Sequence, residues 1–217
     1  MTGSGKDPAK RFYFGSNFKM HKTLAEVKAF VHHLQEPCKE LPDLQLFVLP
    51  PFTSLGGLQD IPRLGNLWIG AQNMHWASSR PYTGEISAPM LRDLGIDLVM
   101  LGHAERRQKF GETDSDLSKK VQTAITHGLR VLLCVGETAA QRQFGVTREV
   151  LVMQLKIALH DFPPDHLDRL MVAYEPVWAI GAGSQEAQPD DIAASIRQIR
   201  LTLDSIFREN AGCVPVL

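Results

Sequence analysis

Three residues stand where this chain could carry out acid–base chemistry on a small anion: Glu175, His103 and Lys19. Glu175 follows the apolar run Leu170-Met171-Val172-Ala173-Tyr174 and precedes Pro176, so it sits at the exit of a strand covered on both faces. Desolvation at such a place favours the neutral carboxyl, which suits a proton-transferring base. His103 follows Gly102 at the end of another apolar run, where an imidazole could polarise a carbonyl or shuttle a proton. The alternative is a hydrogen-bonded structural histidine. Lys19 at a third strand end could be a fixed cation for an anionic substrate, a Schiff-base nucleophile, or a plain surface lysine. A base, an electrophile and a cation together match proton abstraction beside a carbonyl.

What surrounds these three is also informative. The apolar loop Val177-Trp178-Ala179-Ile180 runs from Pro176 into Gly181-Ala182-Gly183. Apolar side chains in a loop gain nothing from water, and the glycines permit a hinge or a close backbone approach to ligand. Pro176–Gly183 therefore suggests a lid beside the base, against the plainer reading of a hydrophobic strand-to-helix turn. Glu105 could orient Lys19 or pair with Arg106 or Arg107. Arg106-Arg107 is expected to be a salt-bridged surface, and Gly136-Glu137 to cap the following helix.

The elements that must position these groups follow from the apolar periodicity. Strands are expected over Arg11–Ser16, Leu44–Leu49, Leu67–Ala71, Ile96–Leu101, Val131–Val135 and Leu170–Tyr174. Thr23 with Glu26 forms a capping box ahead of a helix whose stripe is Leu24, Val27, Val31 and Leu34, and Pro37 and Pro42 are expected to break it. Ser87 caps a short helix to Leu94. Further helices are expected from about Asp116, over Thr147–His160, and from Pro189 through Ile206, the last closed by Gly212. Its first turn, Pro189-Asp190-Asp191, is favourable to a helix start. Val214-Pro215-Val216-Leu217 looks like the beginning of a seventh strand. Six strand–helix alternations imply an α/β fold, a parallel sheet with helices outside. Polar residues collect just after the strand ends: Asn17, Lys19, Gln72, Asn73, His103, Glu105, Glu137 and Glu175. In such folds that face binds ligands.

Bulk composition narrows the function classes. The 217 residues are 44% hydrophobic and 22% charged, with a formal net charge of -1. That is ordinary globular composition, enough for a sizeable core, and it gives no electrostatic case for a nucleic acid or an anionic membrane. No apolar run approaches the roughly 20 residues of a membrane span. Residues 1–10 are polar, lack a secretory signal pattern and suggest a loose leader to one domain over 11–217. Cys38, Cys134 and Cys213 are odd in number and widely spaced, which suits a reducing, cytoplasmic compartment and argues against disulfides or zinc. None of the histidines has metal-ligand spacing.

Several motifs, in order, give the chain a family resemblance: Asn17-Phe18-Lys19-Met20, Ala71-Gln72-Asn73, Tyr82-Thr83-Gly84-Glu85-Ile86-Ser87, Leu101-Gly102-His103-Ala104-Glu105-Arg106-Arg107, Phe110-Gly111-Glu112-Thr113-Asp114, Cys134-Val135-Gly136-Glu137-Thr138 and Val172–Gly183. The sequence resembles triosephosphate isomerase from about Arg11 to its end. The resemblance implies a TIM-barrel type (β/α) fold and interconversion of dihydroxyacetone phosphate and glyceraldehyde 3-phosphate through an enediolate. It assigns Glu175 as base, His103 as neutral electrophile, Lys19 as cation, Asn17 as substrate contact, and Pro176 to Gly183 as lid, with the Gly181 N–H offered to phosphate. It implies no metal and no cofactor, a glycolytic and gluconeogenic role, and a homodimer in which Thr83 tips the loop reaching the partner.

The chain departs from that pattern at particular residues. The serine that follows the histidine in the family is Ala104 here, and the threonine of the lid is Ala182. A complete (β/α)8 barrel typically takes about 250 residues. Six units and the start of a seventh strand are expected here, an incomplete barrel without the family's last two strand–helix units and their phosphate-holding loops. From this the sequence suggests impaired turnover, and either self-association beyond a dimer through open sheet edges or completion by a separate segment. Two other readings stand beside it: a non-catalytic scaffold or assembly relic of the fold, and a lysine-dependent aldol-type enzyme using Lys19.

Overall fold

A computed structural model describes residues 12–62, 64–180 and 186–217. The expected leader over 1–10 and the lid residues Gly181, Ala182 and Gly183 lie outside the described residues. In order come β1 (Phe12–Asn17), α1 (Leu24–Glu40), β2 (Leu44–Leu49), α2 (Phe52–Leu55), β3 (Leu67–Ala71), α3 (Ala88–Asp93), β4 (Leu98–Leu101), α4 (Ala104–Lys109), α5 (Asp114–Thr126), β5 (Arg130–Val135), α6 (Ala139–Gln143), α7 (Thr147–Ala158), β6 (Leu170–Tyr174) and α8 (Pro189–Phe207).

The six strands pair in parallel in the order β1-β2-β3-β4-β5-β6, the arrangement of an incomplete TIM-type barrel. Val214–Leu217 extends it. The Val172 N–H donates to the Pro215 carbonyl and the Tyr174 N–H to the Leu217 carbonyl, each at 2.9 Å. The segment expected to begin a seventh strand thus lies parallel along β6.

Alternation along the strands sorts their side chains into two cores. Leu46, Val48, Leu67, Ile69, Val99, Leu101, Val131, Leu133, Leu170 and Val172 pack outward against the helices. Phe47, Leu49, Trp68, Leu98, Met100, Leu132, Cys134 and Met171 fill the inner, concave side. From β2 to β5 both faces are covered, so those strands read as continuous apolar runs, whereas the edge strand β1 leaves Phe12 and Phe14 exposed.

Several element boundaries differ from expectation, and three of them have a clear physical reason. Helix α1 runs through Pro37 to Glu40, because its buried stripe of Val27, Val31 and Cys38 spans the proline. That burial outweighs the hydrogen bond a proline forgoes. Helix α4, too short for a periodic signal, occupies Ala104–Lys109. Helix α8 ends at Phe207, where Arg208 turns left-handed (φ 55), before Gly212 is reached.

Candidate functional site

The site lies at the C-terminal ends of the strands. Helix α4 begins directly after β4, with His103 as its N-cap, and the His103 Nδ1 accepts the Glu105 N–H at 3.2 Å. An accepting Nδ1 carries no proton, so the ring's N–H is at Nε2. That Nε2 faces Glu175 Oε1 at 3.5 Å. The other carboxylate oxygen, Oε2, accepts the Ala104 N–H at 2.8 Å. A carboxylate so placed sits on the positive end of a helix and next to the imidazole at once.

Lys19 approaches from β1. Its backbone is left-handed (φ 52), a conformation that costs a bulky residue energy and persists only where neighbours enforce it. Asn17 Oδ1 accepts the Lys19 N–H at 2.9 Å, and the Gln72 side-chain amide donates to the carbonyls of Lys19 and Leu49, each at 2.8 Å. The Lys19 ammonium then reaches Glu105 at 3.0 Å. Burial opposes ionisation of Glu105, but the hydrogen bond and charge of Lys19 outweigh it and hold the carboxyl below its ordinary range. Glu105 therefore pairs with Lys19. Arg106 goes to Glu112 and Arg107 to Asp114.

Arg107 is not the surface residue expected. Its guanidinium also donates to the Gly102 carbonyl at 2.7 Å and the Cys134 carbonyl at 3.2 Å, tying the ends of β4 and β5 to the start of α5. Asn17, Lys19, His103 and Glu105 share one hollow with Met20, Gln72, Asn73 and Phe110. Asn73 accepts from the buried Lys120, which also pairs with Glu112.

The segment after β6 is held by a residue just past β5. Glu137 is 1% exposed and accepts from the Tyr174 hydroxyl and, at 2.7 Å, from the Trp178 indole N–H. The Val177 N–H donates to the Glu137 carbonyl at 3.2 Å. Thr138, and not Glu137, caps α6. At Gly136 a Cβ would lie 1.8 Å from the Glu175 carbonyl oxygen, so only glycine lets the chain after β5 pass this close to Glu175. Residue types alone understated Glu137. The usable signal was register: Val135 pairs with Tyr174, so Glu137 emerges beside the segment that follows β6. Thr83 stands exposed in the loop after β3, closed by the His75 N–H to the Ile86 carbonyl at 2.8 Å. Among the described residues no three or more metal-ligating side chains converge, and no helix is long and apolar enough to cross a membrane.

Comparison with known proteins places this geometry. The family model described as triosephosphate isomerase matches residues 12–217. The chain belongs to the triosephosphate isomerase family. It is 41% identical to the triosephosphate isomerase of Chloroflexus aurantiacus over 191 residues, 88% of this chain and 76% of that protein. It is 40% identical to the triosephosphate isomerase of Carboxydothermus hydrogenoformans, covering 94% and 81%. It is also 39% identical to the L-erythrulose-1-phosphate isomerase of Brucella abortus, covering 94% and 80%. Membership in the triosephosphate isomerase family makes the chain an isomerase homologue with a phosphosugar type of substrate, without fixing which sugar phosphate that is.

Proposed function

We propose that the chain interconverts dihydroxyacetone phosphate and glyceraldehyde 3-phosphate. The observation that carries this is the facing of Glu175 Oε1 and His103 Nε2 at 3.5 Å, with the same His103 lining the strand-end hollow together with Lys19 and Asn17. Glu175 takes a proton from the carbon beside the carbonyl, leaving an enediolate. The Nε2–H of His103 donates to the oxygen on which charge develops, and the Lys19 ammonium offsets that charge. Glu175 then returns the proton to the neighbouring carbon, so the step is redox-neutral within the substrate. Asn17 and Gln72 hold Lys19 in place, and the segment from Pro176 to Ile180 closes over the site. The pairing of Lys19 with Glu105 favours a fixed cation over an aldolase-type amine nucleophile.

A coupled assay with dihydroxyacetone phosphate and L-erythrulose 1-phosphate side by side tests the reading, with Glu175→Gln as control. The second substrate is included because the Brucella relatives bear that name. Faster turnover of the four-carbon compound would reassign the substrate. Equal rates for wild type and variant on both would leave the non-catalytic scaffold.

The same hollow supports self-association. Met20 is 94% exposed and Phe110 68% exposed at its rim, an apolar mouth that the Thr83 loop of a second copy would fill. Light scattering is expected to show a dimer or a larger assembly. A stable lone monomer would overturn this.

A further inference from the structure

Helix α8 begins with Asp190 and Asp191, two acids whose helix-start role accounts for their presence but not for where Asp191 points. Its Oδ2 receives the Arg142 guanidinium at 2.7 Å. That guanidinium lies over the Trp178 ring, 3.7 Å from its centroid. The indole N–H of the same ring donates to the buried Glu137. The ring of the segment after β6 is thus gripped at its edge by Glu137 and covered on its face by Arg142 of α6, which α8 holds through Asp191.

Each partner constrains a different motion. The hydrogen bond to Glu137 fixes where the indole N–H points, but a ring can still tilt about that bond. A guanidinium stacked on the face opposes the tilt. Arg142 is a long side chain with several rotatable bonds, and it holds the stacking position only if something holds its far end. Asp191 does so through its carboxylate. The side chains of Arg142 and Asp191 are 35% and 38% exposed, so the pair contributes little to global stability. Its effect is local, on the orientation of one ring three residues beyond Glu175.

We infer that Asp191 is a positioning residue for the reaction: acting through Arg142, it sets the tilt of Trp178 on Glu137 and thereby the pose of the segment that follows the base. It touches neither substrate nor Glu175. The inference rests on the isomerase reading for its kinetic half only. The ring geometry stands on its own.

The test uses the full chain labelled with 15N-tryptophan, the Trp178 indole resonance being assigned by its loss in Trp178→Phe. In Asp191→Asn the Trp178 indole N–H is expected to move upfield, away from the position of a proton held by a carboxylate. Turnover of dihydroxyacetone phosphate is expected to fall by about twofold to thirtyfold, the range of a cation–π contact, with the melting temperature nearly unchanged. Asp191→Glu is expected to restore both. Arg142→Lys is expected to resemble Asp191→Asn, since an ammonium does not stack as a guanidinium does. An Asp191→Asn protein with an unmoved Trp178 resonance overturns the inference, whatever its rate. A wild type without turnover on any phosphosugar sinks the isomerase reading alone, and the resonance then still decides the positioning role.

Discussion

The main-chain N–H of Ala104 holds Glu175 Oε2 at 2.8 Å while His103 Nε2 faces Oε1 at 3.5 Å. The carboxylate is therefore already in the site, hydrogen-bonded to backbone at a helix start. Glu175→Gln keeps an oxygen able to accept the Ala104 N–H but removes the proposed base. Turnover in a coupled assay is expected to drop about 10²–10⁴-fold, while the circular-dichroism melt stays close to wild type. Retained turnover would move the base elsewhere.

Gly136 makes a steric prediction. Its missing side chain leaves room for the Glu175 carbonyl, 1.8 Å from where a Cβ would stand. Gly136→Ala forces the exits of β5 and β6 apart and is expected to cost about 1–3 kcal/mol, read as an earlier urea midpoint. Activity should fall further than stability, because the displaced backbone carries Glu175, the proposed base. A variant with the wild-type midpoint would contradict the close approach.

Glu105 predicts a pH dependence. Its carboxyl is held below the ordinary value of 4.5 because the bond and charge of Lys19 overcome the burial that opposes ionisation. A depressed carboxyl stabilises the fold above its unfolded value and loses that contribution as pH falls through the folded one. The stability difference between wild type and Glu105→Gln should therefore be present at neutral pH and shrink below about pH 4.5. A difference independent of pH would show that the pair contributes nothing through ionisation.

Tyr174 titrates in the opposite sense. Burial pushes its hydroxyl up to about 12; a Ser195 hydrogen bond opposes this and the Glu137 charge adds to it. The neutral phenol stabilises the fold below its ordinary value of 10.0 and loses that contribution as pH rises through the folded value. An absorbance titration should show a tyrosine ionising near pH 12, and Tyr174→Phe should remove that step.

The strands were plain in the sequence because a short apolar run closed by a polar group fits a strand covered on both faces and little else. Glu175, His103 and Lys19 were legible for the same reason, each being a polar group at the end of such a run. Arg107 was not legible, because a charged pair beside Glu105 gives no sign that one guanidinium turns inward to two carbonyls. Glu137 was undervalued because its role depends on register with β6. Asp191 gave only a helix-start signal, since its partner Arg142 is 49 residues away in sequence. Pro37 misled in the other direction, local chemistry yielding to a buried stripe on both sides of it.

Cys134 lies 1% exposed on the concave side of β5. Burial, and after it the charge of Glu175, pushes its thiol well above the ordinary value. A thiol so placed is shielded from alkylating reagents and is a poor nucleophile besides. Cys213, by contrast, is exposed. Timed labelling would tag Cys213 first and Cys134 only when β5 and β6 part. The chain thus carries its own stopwatch for breathing of the barrel interior, beside the base and readable by mass spectrometry without any substrate.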